Sequence, residues 1–142
     1  MLPYAFEAPI FSAIFPKDDH VVTVNGRGQL IVIKRIPDIM PPIFRFQGIG
    51  PIGIERFEIS IVIDGKRLNV IARGDEVVAI PGLPPQPFHI PYHKERKAYS
   101  IEEPSFRPIS LWGVKHGEIF IETNPGVIFP PEQLFRLGGH EN

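Results

Sequence analysis

Gly48-Ile49-Gly50-Pro51-Ile52-Gly53 has the GxGxxG spacing with which a strand–turn–helix unit cradles a dinucleotide pyrophosphate. That chemistry needs a helix directly after the glycines, because the helix N-terminus holds the phosphate charge. The segment that follows, Ile54–Ile63, is patterned as a strand instead, and Pro51 sits inside the loop. The glycines therefore read as a turn and not as a cofactor site. His89 and His93 have the i, i+4 spacing that aligns two imidazoles on a helix, but Pro91 lies between them and the glutamate of an HExxH segment is missing. On a loop, this pair with Tyr92 and Glu95 has donor types suited to a metal, although solvated loop histidines are the default. Asp18-Asp19-His20 is also ligand-capable, yet acidic residues just ahead of a strand commonly stabilise turns.

Nucleophile systems are no better supported. None of Ser12, Ser60, Ser100, Ser105 and Ser110 lies in a GxSxG elbow, and there is no cysteine. Ser60 alternates with Phe57, Ile59 and Ile61, which turns it outward from a sheet. Glu55, Glu58, Asp64, Asp75, Glu76, Glu102 and Glu103 offer carboxylate pairs, as almost any β domain does. Tyr92 to Tyr99 interleaves basic and aromatic residues, as does Phe44-Arg45-Phe46, a pattern suited to stacking single strands. With 15 basic and 16 acidic residues, however, the chain lacks the net positive charge on which phosphate binding depends. The residues thus assign no catalytic, cofactor or metal site.

The elements that would position such residues are outlined by 17 prolines in 142 residues. Proline removes a backbone donor, so it is expelled from helix interiors and central strands. Only Lys17–Ile36, Ile52–Ile80 and Ile109–Asn124 run longer than fifteen residues without one. Each carries a hairpin signature. His20–Ile36 has β-branched runs around Asn25-Gly26-Arg27-Gly28; Phe57–Ala72 alternates around Asp64-Gly65 and continues past Gly74 into Val77–Ile80; Ile109–Thr123 turns at Lys115-His116-Gly117. Trp112, the single tryptophan, falls in the last hairpin, where a core or edge-covering ring is expected. Pro37–Gly53 and Pro81–Pro91 are semi-rigid connections. Pro130-Pro131-Glu132-Gln133, followed by Leu134, Phe135 and Leu137 and stopped by Gly138-Gly139, predicts one short C-terminal helix.

The expected fold is therefore all-β: a small antiparallel sandwich or barrel built from hairpins, with residues 17–142 as its single domain. Residues 1–16 are apolar and broken by Pro3, Pro9 and Pro16, and they have neither a basic leader nor the length of a membrane span. They read as an extended N-terminal arm with two possible fates. Leu2, Tyr4, Phe6, Ile10, Phe11, Ile14 and Phe15 either join an edge of their own domain or lie on a neighbouring subunit as partner-binding residues.

In length, in cysteine-free composition rich in β-formers and proline, in the arm Met1–Pro16 and in its hairpins, the chain resembles the small auxiliary (decoration or cement) proteins that coat the capsids of tailed bacteriophages, those of thermophilic phages in particular. Abundant isoleucine and rigid loops suit a thermophilic source. The resemblance implies a virion protein made in the host cytoplasm, trimeric on the capsid surface, whose partners are the major capsid protein and itself. It implies no enzymatic activity, no cofactor, no membrane and no direct contact with nucleic acid. A small β-barrel or sandwich module binding carbohydrate or single-stranded nucleic acid is the alternative, marked by an exposed cluster among Phe44, Tyr92, Tyr99 and Trp112.

Overall fold

The computed structural model describes residues 2–105 and 107–141. Its strands are β1 (Ala5–Ala8), β2 (Ile10–Ser12), β3 (His20–Val24), β4 (Leu30–Lys34), β5 (Phe44–Gly48), β6 (Arg56–Ile63), β7 (Lys66–Arg73) and β8 (Glu76–Ala79). There follow β9 (Pro87–His89), β10 (Tyr92–His93), β11 (Ala98–Tyr99), β12 (Ile109–Lys115), β13 (Glu118–Asn124) and β14 (Phe135–Leu137). All belong to one antiparallel sheet curled into a half-barrel, in the order β1-β5-β6-β7-β8-β13-β4-β3-β2-β14-β11-β10, with β12 on β13 and β9 on β6.

Local turn chemistry builds the hairpins. Between β3 and β4, Asn25 Oδ1 accepts hydrogen bonds from the amides of Arg27 (2.9 Å) and Gln29 (3.0 Å), and Gly28 takes φ +82° against Ile80, where a Cβ has no room. Asp64-Gly65 between β6 and β7 and His116-Gly117 between β12 and β13 both place two residues at positive φ, as a type I′ turn demands. β6, β7 and β8 form the expected meander. The GxGxxG segment leads from β5 into β6 with no helix after it.

One continuous cluster of buried side chains forms the core. Trp112 meets Phe88 and Phe135 edge-on, with ring centroids 5.6 and 6.0 Å away. Phe6 stacks on Phe46 at 4.6 Å and meets Phe57 edge-on. Ile101 and Glu102 bridge β9 to β12, since the Glu102 and His89 backbones exchange two hydrogen bonds of 2.8 Å and the Trp112 amide donates to the Ile101 carbonyl.

Two sequence expectations are corrected. The C-terminal helix is a single 3-10 turn at Pro131–Gln133, after which Leu134 is extended and Phe135–Leu137 is strand β14. Adjacent prolines withhold amide donors, and Phe135 and Leu137 alternate about Arg136, so pairing with β2 and β11 buries both apolar side chains at once. The extended arm is not seen either, and residues 2–16 take the first of their two expected fates, the edge of their own domain. β1 pairs along β5 and β2 pairs with β14 and β3, burying Leu2, Phe6, Ile10 and Phe11 within their own chain; Ile14 and Phe15 are half-buried and Tyr4 is exposed. Phe6, Ala8 and Ile10 share the strand period, and the open edge of β5 accepts it.

Candidate functional site

The histidines singled out by spacing do meet acidic and hydroxyl groups, but not the expected ones. β9 carries His89 and β10 carries His93, while Glu95 is exposed in the turn after β10 and Tyr92 packs on Tyr99 at 5.0 Å. Between the imidazoles stand Ser100 and Glu102, which belong to no sequence motif. Ser100 Oγ donates to Glu102 Oε2 at 2.5 Å, His93 Nε2 lies 2.7 Å from Ser100 Oγ, and His89 Nδ1 lies 3.6 Å from Glu102 Oε1. Because the serine has spent its hydrogen on the carboxylate, His93 Nε2 is the donor in that contact. The i, i+2 spacing of Ser100 and Glu102 put them on one strand face. That the face meets β9 and β10 depends on long-range pairing.

Chemically this chain of groups is a fastener. The Ser100 side chain is fully buried and its proton points to the carboxylate instead of the imidazole, the reverse of an activated nucleophile. Among the described residues no group of three or more histidines and carboxylates is placed to hold a metal ion.

The fold displaces three titratable groups. Burial pushes His93 below the ordinary imidazole range; Glu102 opposes this, and Arg96 and His89 add to it. Burial alone raises Glu102, but the close polar contacts of His89 and Ser100 and the charge of both imidazoles carry it below the usual carboxylate range. Burial, reinforced by Tyr92, Glu55 and Glu141, pushes Tyr99 up to about 12. The unfolded chain therefore takes up protons that the folded one refuses as pH falls below about 6.5 and then about 4.3, so stability declines into acid. Above pH ~10 unfolded Tyr99 ionises while the folded phenol does not, so stability declines there too. Urea midpoints measured against pH are expected to show both limbs. Glu102→Gln should flatten the lower acid limb and Tyr99→Phe the alkaline one; a limb that survives its substitution would refute the assignment.

The other sequence candidates serve structure. Asp18 takes a positive-φ turn conformation and accepts a bond from Arg136, while His20 stacks on Phe15 with ring centroids 3.5 Å apart. Phe44, Tyr99 and Trp112 are buried, so of the four aromatics that would mark a stacking surface only Tyr92 reaches solvent in part.

What the surface does present is apolar. Among the described residues, eight of the eleven exposed large hydrophobic side chains sit on three proline-bearing connections: Ile36, Ile39, Met40 and Ile43; Ile52 and Ile54; Val127 and Ile128. Met40, Ile52 and Val127 are each nearly four-fifths exposed, at 79%, 78% and 78%. These loops are tied down. The 125–130 loop receives bonds at its carbonyls from Arg107 (2.8 Å, Pro125), Asn124 (2.8 Å, Ile128) and Arg96 (2.7 Å, Phe129). Tyr4 Oη donates to the Gly50 carbonyl at 3.2 Å, and the Ile39 amide to Ile36 at 3.3 Å. No protein-family model matches this chain, and no curated protein does.

Proposed function

We propose that this chain is a structural auxiliary protein of a tailed-phage capsid, which oligomerises, binds the assembled lattice of the major capsid protein on its outer surface and stabilises it. The observation that supports this reading is the set of exposed apolar side chains held on tied, proline-bearing loops. Large apolar side chains kept in water cost free energy that docking would return, about 1.5–3 kcal/mol for each one fully buried. Prolines and loop hydrogen bonds lower the ordering cost of docking in advance. The partner-binding role expected of residues 1–16 passes to these loops, since Leu2, Phe6, Ile10 and Phe11 are spent on the chain's own core. A protein that binds only the assembled lattice shifts the equilibrium toward it by mass action, and many symmetric copies add modest contacts into high avidity.

The test is co-sedimentation of the full chain with expanded capsid shells stripped of auxiliary protein, alongside sedimentation velocity of the protein alone. Met40→Ser combined with Val127→Ser and Ile128→Ser is expected to weaken pelleting by at least about tenfold. These substitutions are on the surface, so they should leave folding stability within about 0.5 kcal/mol. Unchanged pelleting of the variant, or none of the parent chain, would refute the proposal.

A further inference from the structure

A groove of about 480 Å³ opens where the end of β3 faces β5, β6 and β7, with Glu7 of β1 on its wall. That volume is in the range of small-ligand sites. Strand register brings its polar lining together. Arg45 stands opposite Ser60 across β5 and β6, and Arg67 stands opposite Val62 across β6 and β7, so two arginines flank one short stretch of β6 from either side. Arg67 Nη1 donates to Ser60 Oγ at 2.9 Å, and Arg45 Nη2 donates to Gln47 Oε1 at 3.1 Å. A guanidinium carries five N–H donors, so each has most of its capacity left.

Among the described residues neither arginine forms an ion pair, although Glu7 lines the same groove and stands opposite Arg45. Arg136 shows how the same chain treats a structural arginine: it bonds Asp18 and two backbone carbonyls. Ser60 is buried and accepts from Arg67, which leaves its own hydrogen free to donate. Val24, Pro42, Ile43 and Val62 supply apolar walls.

We infer that this groove binds an oxyanion, a carboxylate or a phosphate, carried on a short apolar body. The Arg45 and Arg67 forks and the Ser60 hydroxyl hold the anion, the apolar walls hold the body, and Glu7 disfavours a second negative charge at the β1 end. Planar bidentate recognition of such groups is what arginine does best. The inference is independent of lattice binding, because it concerns the protein alone in solution.

Amide chemical shifts of the full chain, followed in titrations with 4-phenylbutyrate, phenyl phosphate, the neutral 4-phenylbutanol and inorganic phosphate, test it. Saturable shifts at residues 43–45 and 60–67 are expected with an anionic probe, at least tenfold tighter than with the alcohol. Whichever of the two aromatic anions binds more tightly identifies the head group. Arg45→Gln with Arg67→Gln should weaken that binding at least tenfold. Glu7→Gln removes an exposed carboxylate without disturbing packing and should tighten it two- to threefold, which keeps the test decisive if the double variant folds poorly. Equal affinity for the alcohol, inorganic phosphate binding that ignores these substitutions, or no saturable shift would overturn the inference.

Discussion

Replacing Trp112 with alanine is expected to remove about 3–5 kcal/mol of folding stability, the range for emptying a large aromatic site in a core that cannot collapse. Trp112 is fully buried, and it packs nearly perpendicular to Phe88 from β9 and Phe135 from β14. Those strands belong to distant parts of the sheet, so neither can close the gap without breaking its own pairing. The loss is a large share of the stability of an ordinary domain and should lower the melting temperature by more than about 10 °C. Trp112→Phe separates two contributions. The indole Nε1 is buried with no hydrogen-bond partner, so phenylalanine keeps part of the ring and also removes an unpaired donor. It should cost less than half as much as alanine, read by circular dichroism on thermal unfolding. Equal losses would mean that the indole nitrogen is satisfied in solution.

Arg136→Met is expected to cost about 2–3 kcal/mol, from hydrogen bonds lost to groups that then stand half-desolvated. From β14 its guanidinium reaches Asp18 Oδ1 at 2.6 Å, the Phe15 carbonyl at 2.6 Å and the Ser12 carbonyl at 3.3 Å. The ion pair itself is partly solvated, with Asp18 41% exposed, and pairs of that kind contribute little. The carbonyl bonds carry most of the effect, because they fix the turn that joins β2 to β3. Asp18→Asn should therefore cost under about 1 kcal/mol while Arg136→Met costs several times more in urea unfolding. Equal losses would place the energy in the ion pair and contradict this account.

Which parts of the molecule could be read in the residues follows from the range of the forces involved. Asp64-Gly65 and His116-Gly117 announce their hairpins because turn conformation and side-chain alternation are both local. Phe135 and Leu137 suit a short helix nearly as well as a strand. Only the presence of β2 and β11 beside them, which no local window contains, decides for the strand. The same holds for β1, whose alternating pattern fits any open edge and whose partner β5 lies some forty residues on. Ser100 and Glu102 carry no motif, and they join His89 and His93 only because Glu102 bridges β9 to β12. Arg45 and Arg67 are likewise brought to one groove by strand register.

The pairing of β2 with β14 also governs how the protein comes into being. Ser12 and Arg136, joined in the finished sheet, lie 124 residues apart along the chain. At ribosomal speeds of roughly 5–20 residues per second, β2 waits on the order of ten seconds for its partner to be synthesised. During that interval the nascent chain holds completed hairpins beside an unpaired apolar edge containing Ile10 and Phe11, a surface that invites pairing with other chains. Folding dominated by such distant contacts is slow even after release. Yield in a cell should thus depend on how crowded the newborn chains are, more than on how stable the mature sheet becomes.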